Sequence, residues 1–377
     1  MIVEKTLSGV GLMSGSSLDG LDVAYSQYKL RYNSEEKVLL SLEHELMSSA
    51  CYTFPKELSS KMREPDQLSI GELMKLDVSL GVFFADCVLR FLESSNLPKP
   101  DYIASHGHTV LHRPEDGFSL QIGSAAHIAS VSGINTIADF RSSDLAHGGQ
   151  GAPMAPLVDR LLFKDVDLFL NIGGIANISF QKEGASFGYD IAPANQFLNR
   201  LAEQKGMEYD EGGQMAAKGQ INTSLLDELL AVPFFSSSSP KSLDNVYLRE
   251  ELWPIVDGFS ISIEDKLATC VELIVITFRK ALHHFKDLKS KKDQSLPVRL
   301  LVSGGGAKND FLMQRLLQAD SSIRLELMDI EESVIDMKEA ILMSLAGALR
   351  VVEIPNLLSS VTGAESNSTG GAIYLSF

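Results

Sequence analysis

The chain has little cysteine and no excess of positive charge, and both shortages exclude classes of function. Its 377 residues contain three cysteines, Cys51, Cys87 and Cys270, which lie far apart and match no zinc-binding spacing. We expect these thiols to be reduced and buried. The formal net charge is −16, so the basic footprint of a nucleic-acid-binding protein is missing and the surface should repel anionic membranes.

The sequence also has no long apolar run, and its N-terminus does not resemble a secretory signal. The stretch LGVFFADCVLRFL contains Asp86 and Arg90, two charges that a bilayer-spanning helix does not tolerate at its centre. These observations predict a cytoplasmic protein with no membrane partner. A protein this acidic must bind a polyanion through a local site, often with the help of a divalent metal.

The length favours two lobes over one, because a single core rarely grows to this size. One block reads strand to Met13, glycine turn, strand from Asp22, and a long amphipathic helix at 68–94. A strand-like segment follows at Tyr102–Ser105. A second block repeats the plan with VDLFLNIGGIANISFQ and a helix at 263–285. The apolar stripe of this helix at helical spacing is Leu267, Val271, Ile274, Phe278 and Leu282. The repeat predicts a duplicated α/β fold with a cleft between its halves.

The segment Gly9–Asp22, GVGLMSGSSLDGLD, runs an apolar strand into a turn of small and acidic residues. Gly11, Gly15 and Gly20 are expected to let the backbone turn tightly and approach a ligand, while hydroxyls and amides supply donors and carboxylates suit Mg²⁺. A strand follows the turn, and G-x-x-x-x-G-K-[ST] is absent, which favours a strand-turn-strand phosphate loop over a Walker loop. A plain hairpin is the alternative. The candidate ligand contacts are Gly15, Ser16, Ser17, Leu18, Asp19, Gly20, Leu21 and Asp22.

Two further glycine turns accompany the first. NIGGIAN at Asn171–Asn177 joins two strands and carries Gly173 and Gly174. SGGGAKN at Ser303–Asn309 joins a strand to a helix whose N-terminus favours anions. Its candidate residues are Gly304, Gly305, Gly306 and Asn309, the last as a cap or a purine contact. Three such turns predict a nucleotide held from both halves.

The chain resembles the anhydro-N-acetylmuramic acid kinase family of the actin and hexokinase superfamily along its whole length. This resemblance implies an α/β fold of two tandem ribonuclease H-like lobes with an interlobe active-site cleft. The expected lobes are 1–135 with about 352–377, and 136–351. The matching segments are GLMSGSSLDGLDVA, SHGHTVLHRP, LQIG, ADFRSSDLAHGGQGAPMAPLVD, LNIGGIANIS, GYDIAPANQFLN, VSGGGAKNDFLMQRL and NLLSSVTGAESNSTGGAIY.

The resemblance implies a reaction that opens a 1,6-anhydro amino sugar with water and phosphorylates O6 from ATP with Mg²⁺. The product would be N-acetylmuramic acid 6-phosphate, in peptidoglycan recycling, and the enzyme a homodimer. The family motif GYDIAPAN places the catalytic base at Asp190. From the residues alone, the favoured interpretation of Asp190 is a helix N-cap before the helix that follows Pro193. Asp19 and Asp22 are the candidates for steering Mg²⁺.

The family motifs also imply which residues bind the sugar: His106, His108, Arg141, Asp144, Gln150, Asn195 and Glu339. Arg141 and Asp144 stand three residues apart and form a structural ion pair in the alternative interpretation. The histidines at 106, 108, 112 and 127 lack the carboxylate or cysteine partners of a metal site, so hydrogen bonding is the favoured role.

Several positions depart from the usual family motifs, mostly on the sugar side. His108 stands where glutamine is usual, and DIAPAN replaces DTGPGN. Methyl groups at Ala192 and Ala194 cost about 1–3 kcal/mol where glycine allows a close contact. Two alternative functions follow: a superfamily kinase with a drifted sugar or glycoside substrate, or a catalytically weak nucleotide-binding paralogue.

Overall fold

A computed structural model describes residues 1–14, 20–63, 65–182, 185–237, 241, 243, 247–288 and 296–376. The chain forms two compact units, which are considered separately. Unit 1 comprises Met1–Lys164 and Glu331–Phe377, and unit 2 comprises Asp165–Ile330. The expected lobes placed 136–164 and 331–351 with the second half, whereas the structure places both segments in unit 1.

Unit 1 is built on a six-stranded sheet in the order β13-β7-β4-β1-β2-β3. The first three strands form an antiparallel meander, β4 and β7 run parallel to β1, and β13 closes the edge antiparallel. The pairing of β7 with β4 draws residues after 135 into this unit. A separate hairpin joins β5 to β6. The strands are β1 Ile2–Ser14, β2 Leu21–Asn33, β3 Val38–Tyr52, β4 Tyr102–Ser105, β5 His108–Arg113, β6 Phe118–Ile122, β7 Thr136–Ala138 and β13 Ala372–Tyr374.

The helices of unit 1 cover this sheet. Ser69 and Glu72 form a capping box that begins α2, whose Leu76, Leu80 and Phe84 are buried against the sheet. The helices are α1 Lys56–Arg63, α2 Ile70–Ser94, α3 Ala125–Ser132, α4 Ser142–Ala146, α5 Pro156–Leu162, α12 Glu332–Asp336, α13 Lys338–Val351 and α14 Ser359–Thr362.

Helix α13 explains why the segment after 331 belongs to unit 1. It packs so closely on β1 that a Cβ at Gly11 would lie 1.8 Å from the carbonyl oxygen of Ala340. The Ser344 hydroxyl also donates to the carbonyl of Gly9 at 2.9 Å. Gly11 therefore serves helix packing and not the approach of a ligand, which corrects its expected part in the phosphate turn.

Unit 2 repeats the plan with a five-stranded sheet in the order β10-β9-β8-β11-β12. Strands β8, β9 and β10 are antiparallel neighbours, and β11 and β12 run parallel to β8. The strands are β8 Leu168–Ile172, β9 Ile175–Lys182, β10 Ala185–Pro193, β11 Val298–Ser303 and β12 Leu325–Leu327. The helices are α6 Asn195–Glu203, α7 Thr223–Ala231, α8 Pro233–Ser236, α9 Trp253–Gly258, α10 Ile263–Leu288 and α11 Asp310–Leu317.

Helix α10 is the centre of the core of unit 2. The apolar stripe predicted from helical spacing, Leu267, Val271, Ile274, Phe278 and Leu282, is at most 1% exposed. These side chains pack with those of β8, β9 and α6 in one hydrophobic cluster. The stripe therefore anchors the sheet that carries the second and third glycine turns.

Both units share the strand order 3-2-1-4-5, with an antiparallel meander followed by parallel strands, which is the ribonuclease H-like topology. The predicted fold class is confirmed by this repeated order. Cys51 is exposed on the edge strand β3, contrary to expectation, whereas Cys87 and Cys270 are buried. Across the described residues, no helix is both long and apolar enough to cross a bilayer.

Candidate active site

The polar candidates of unit 1 meet at the carboxyl ends of its parallel strands. Strands β1 and β4 pair Leu12 with Ser105, and β4 and β7 pair Ala104 with Ile137. The next residues along the chain therefore leave the sheet at one edge, where parallel α/β folds bind their ligands. The first glycine turn leaves this edge too, but 15–19 lie outside the described residues, so Gly15, Ser16, Ser17, Leu18 and Asp19 stay predictions.

His106 and Arg141 form a buried polar pair at this edge. The guanidinium Nη2 of Arg141 lies 2.8 Å from Nε2 of His106, whose Nδ1 lies 3.0 Å from the carbonyl of Gly107. Burial, and then the charge of Arg141, lower the pKa of His106 to about 4. His106 is therefore neutral, donating from Nδ1 and accepting at Nε2.

Arg141 has a buried donor without a hydrogen-bond partner among the described residues. The donor is its Nε, and burial lowers the pKa of the guanidinium. An unpaired buried N–H costs about 1–3 kcal/mol, which a polar ligand would recover. Arg141 does not pair with Asp144, so the alternative of a structural ion pair between them is corrected.

Asp144 instead holds a loop together. It is fully buried, its Oδ1 accepts from the Thr362 hydroxyl at 2.7 Å and its Oδ2 accepts from the Gly151 N–H at 2.8 Å. The backbone N–H of Gln150 donates to the carbonyl of Thr362 at 2.8 Å, and the Gln150 residue is exposed. Within this segment, Asp144 braces the backbone while Gln150 is accessible to a ligand.

The other histidines of the group each contact a serine. His108 Nδ1 lies 3.2 Å from the hydroxyl of Ser14, the last residue of β1, and burial lowers its pKa. His112 Nδ1 lies 3.0 Å from the Ser119 hydroxyl, and His127 Nδ1 lies 2.8 Å from that of Ser124. Only His106 and His108 of these four are buried.

An acidic pair lies where β2 begins. Glu339, in the first turn of α13, has its pKa raised by desolvation of the carboxyl and then by the charge of Asp22, while Lys338 acts in the opposite direction. The residue as a whole still reaches solvent. Two carboxylates that raise one another's pKa are a donor set that a divalent cation stabilises.

Unit 1 contains a cavity of about 320 Å³ that His106 and Gly107 help to line. Its wall includes His106, Gln121, Ser124, Asp139 and Ser142. Asp139 adopts a positive φ of 59°, an uncommon conformation for a residue other than glycine. A lining that contains serine hydroxyls, carboxylates, an imidazole and a side-chain amide suits a sugar.

In unit 2 the second and third glycine turns pack against each other. A Cβ at Gly304, whose φ is +83°, would lie 2.6 Å from the carbonyl oxygen of Ile172, and one at Gly306 would lie 2.2 Å from its Cγ2. Around Gly173 the nearest atoms to such a Cβ are 3.7 Å away. The absence of side chains at Gly304 and Gly306 thus allows the two turns to pack together. At Gly173, by contrast, no neighbouring atom crowds the position that a side chain would take.

Two asparagines complete this arrangement. The Asn195 Nδ2 donates to the carbonyl of Ile172 at 3.1 Å, and the Asn195 backbone N–H donates to Gly173 O at 3.1 Å. Asn309 caps α11, since its Oδ1 accepts from the Leu312 N–H at 2.9 Å. Of the two roles predicted for Asn309, the structure shows the cap.

A cavity of about 430 Å³ opens against the third turn, within the size range of small-molecule sites. Gly305, Gly306, Asn309 and Asn195 line it. Another part of the wall was not predicted from the sequence and consists of Tyr209, Asp210, Glu211 and Gly212. A possible signal was YDEGGQ, where Gly212 and Gly213 both have positive φ and Asp210 accepts from the Met215 and Ala216 N–H groups.

Asp190 lies near the end of β10, not at a helix N-terminus. Helix α6 begins later, with Ala194 at its N-cap position, so the N-cap interpretation is wrong. Asp190 is half-buried, its N–H donates to Lys241 O at 3.1 Å, and its Oδ2 accepts from Leu243 N–H at 2.8 Å. Burial raises the pKa of its carboxyl, and the bond from Leu243 opposes this effect.

The residues that depart from DTGPGN lie inside the core of unit 2. Ile191 is 2% exposed, and Ala192 and Ala194 are 0% exposed. All three belong to the cluster that packs around α10. Their additional methyl groups therefore pack within the interior of unit 2.

Comparison with known proteins identifies the family. The anhydro-N-acetylmuramic acid kinase family model matches residues 8–376. The Haemophilus influenzae protein of that name is 35% identical over 398 residues, covering 99% of each chain. The Pasteurella multocida protein is 33% identical over 389 residues, covering 98% of this chain and 97% of its own.

Among solved structures, a hexokinase from Schistosoma mansoni complexed with glucose is 10% identical with a TM-score of 0.38, covering 90% of this chain and 85% of its own. The fold assignment therefore rests on strand order, and the family assignment on sequence. The chain belongs to the anhydro-N-acetylmuramic acid kinase family.

Proposed function

We propose that the protein is an ATP-dependent kinase that opens the 1,6-anhydro ring of anhydro-N-acetylmuramic acid with water and phosphorylates O6. The balanced reaction consumes the anhydro sugar, water and ATP and yields N-acetylmuramic acid 6-phosphate and ADP. The family match over residues 8–376 carries the proposal. The half-buried carboxylate of Asp190, whose pKa is raised by desolvation, is at the position that the family motif requires and supports the proposal.

The cavity of unit 2 is the proposed nucleotide site. Its wall at Gly305 and Gly306 offers backbone N–H groups at the start of a short helix, a suitable environment for phosphate. Gly173 leaves an uncovered backbone on the adjoining turn. Asn195, expected on the sugar side, lines this cavity and so is proposed to contact the nucleotide. Bound ATP would supply the phosphoryl group.

The cavity of unit 1 is the proposed sugar site. Arg141 carries a buried Nε with no partner among the described residues, and a sugar hydroxyl or carboxylate would supply the missing acceptor. His106 fixes the guanidinium from the other side, and Gln150 is accessible. We propose these three as sugar contacts, with His108 and Asp144 supporting the backbone around them.

Asp190 is the proposed general base. Its Oδ2 is held by Leu243 N–H, so the carboxylate is oriented, and burial makes it a stronger base than an exposed aspartate. It would accept a proton from the water that attacks C1. The C1–O6 bond breaks as the water oxygen bonds to C1, and the released O6 then takes the γ-phosphoryl group of ATP, with ADP as the leaving group.

Asp22 and Glu339 fit a divalent cation, because desolvation and the nearby charge of Asp22 raise the pKa of Glu339, and a bound cation would offset both effects. We propose Mg²⁺ there, with Asp19 as a further candidate ligand. Bound Mg²⁺ would neutralise phosphate charge. By family resemblance we also propose a homodimer in the bacterial cytoplasm, which light scattering and cell fractionation would test.

The direct test incubates the protein with anhydro-N-acetylmuramic acid, ATP and Mg²⁺ and detects the 6-phosphate by mass spectrometry. Wild type should form it. If anhydro-N-acetylmuramic acid gives none while another sugar releases ADP, the drifted-substrate alternative replaces the proposal. If no sugar stimulates ADP release but ATP still binds, the weak paralogue replaces it.

A further inference from the structure

A second cavity of unit 2 shares no wall residue with the proposed nucleotide site. It measures about 320 Å³ and lies between β10, α10 and the segment that contains Lys241. Tyr189 and Ile191, the two neighbours of Asp190, line it. Tyr189 and Asp190 are successive residues of β10, and the register shift of this strand lies after them, between Asp190 and Ala192. Their side chains therefore face opposite sides of the sheet, so the cavity that Tyr189 lines is behind the strand at Asp190.

Lys241 and Lys280 both line this cavity, and none of its described lining residues is an aspartate or a glutamate. The Lys241 Nζ donates to the carbonyl of Phe234 at 3.0 Å and lies 4.5 Å from the centre of its ring. Lys280, on α10, makes no ion pair with any residue that the structure describes. Burial, and then the charge of Lys280, lower the pKa of Lys241. In a protein of net charge −16, a local excess of cations attracts an anion.

The remaining wall is apolar and aromatic. Phe235 is 4% exposed and Ile191 is 2% exposed, and the ring of His284 packs edge-on against Phe180. Burial raises the pKa of the half-buried Tyr189 to about 12, so its hydroxyl remains a donor at neutral pH. Such walls accept a flat ring, while the lysines and the phenol bind an anionic head group.

The cavity is connected to Asp190 through one short segment. Lys241 lines the cavity. Its backbone carbonyl accepts a hydrogen bond from the Asp190 N–H. Two residues later, the Leu243 N–H donates to the Asp190 carboxylate. A ligand that holds the Lys241 ammonium would therefore restrict the backbone that orients Asp190.

We propose that this cavity binds a small aromatic molecule with one anionic head group, and that its occupancy changes turnover at Asp190 through Lys241. The inference concerns a ligand distinct from the sugar and the nucleotide. Binding can be measured without either substrate, so its outcome is independent of the proposed function.

Isothermal titration with phenyl phosphate tests the site, with benzoate to compare head groups and inorganic phosphate to remove the ring. Lys280→Met removes one charge and retains the stem, and Arg279→Met is the matched control, since it is the preceding exposed residue of the same helix. We expect saturable phenyl phosphate binding that Lys280→Met weakens by about tenfold or more and Arg279→Met leaves unchanged.

Inorganic phosphate alone should bind more weakly than phenyl phosphate. Absence of saturable binding to wild type, or equal affinity in Lys280→Met, would overturn the site. Turnover tests the coupling: saturating phenyl phosphate should change the kcat of wild type and not that of Lys280→Met. An identical response of both proteins, or no response of wild type, would overturn the coupling.

Discussion

The two units are built on one strand order, but they present different chemistry at the same edge of the sheet. Unit 1 ends its parallel strands in charged and imidazole groups, with Arg141 buried against His106. Unit 2 ends its strands in glycine turns that pack on each other at Gly304 and Gly306. One topology thus supplies side-chain recognition in one unit and backbone recognition in the other, and the predictions below test this division.

The largest expected effect is on the chemical step, in unit 2. Asp190→Asn should lower kcat by about 10²- to 10⁴-fold, because an amide cannot accept the proton. Nucleotide affinity by titration should be retained, since the amide oxygen can still accept from Leu243. Asp227→Asn, an exposed aspartate on α7, is the control. Equal product formation by wild type and Asp190→Asn would remove Asp190 as the base.

The pH profile sharpens this prediction. Because the pKa of Asp190 is raised, kcat/KM should fall on the acid side at a pH above the ordinary aspartate pKa of about 3.9. The pKa of Asp190 is the ordinary aspartate value in the unfolded chain and is raised in the folded protein. Between these two pH values the folded state binds the proton better, so the contribution of Asp190 to the free energy of unfolding falls as pH rises. Asp190→Asn should remove that dependence, measured by denaturant titration at several pH values.

The second-largest expected effect is on sugar affinity, which tests side-chain recognition in unit 1. Arg141→Met should weaken sugar binding by about 10- to 100-fold, because a buried charge-assisted donor is worth about 1.5–3 kcal/mol. Nucleotide affinity should be unchanged. Arg113→Met, at an exposed arginine of the same unit, should alter neither affinity. Loss of nucleotide affinity in Arg141→Met would contradict the division between the units.

Backbone recognition in unit 2 is tested by Gly306→Ala. The added Cβ would lie 2.2 Å from Ile172 Cγ2, which should cost about 1–3 kcal/mol of stability and weaken ATP binding while sparing the sugar. Gly258→Ala is matched, since a Cβ there meets nothing within 4 Å. Thermal unfolding and titration check both variants. Unchanged ATP affinity in Gly306→Ala would separate this turn from the nucleotide.

The smallest effect is expected at a helix cap. Asn309→Ala removes the acceptor of the Leu312 N–H and should cost about 0.5–2 kcal/mol in denaturant unfolding. Asn309→Asp keeps an acceptor and should retain most of the stability. If both variants are equally destabilised, the buried amide of Asn309 matters for more than the cap.

The spacing of apolar residues along the sequence was sufficient to predict many of the helices and strands. Helical spacing predicted the buried stripe of α10, and Tyr102–Ser105 is a strand with the predicted bounds. The unit boundaries were not predictable in this way, because they depend on the pairing of β7 with β4 and on the packing of α13 against Gly11. Contacts between residues distant in sequence leave no periodic signal.

The candidate site shows the same limit. The glycine turns at 171–177 and 303–309 could be recognised from composition, but the cavity wall from Tyr209 to Gly212 could not, since acidic and glycine residues there resemble any surface turn. Spacing suggested a pair between Arg141 and Asp144, whereas folding gives them separate partners at His106 and Thr362.

Ring opening by water and phosphorylation of O6 are tested most directly by following the oxygen atom of the attacking water. Anhydro-N-acetylmuramic acid is incubated with the protein, ATP and Mg²⁺ in H₂¹⁸O, and the product is analysed by mass spectrometry. We expect N-acetylmuramic acid 6-phosphate with one ¹⁸O at C1 and none in its phosphate, because water attacks C1 and the phosphoryl group comes from ATP. A phosphorylated sugar that retains the anhydro ring, or no phosphorylated product at all, would contradict it.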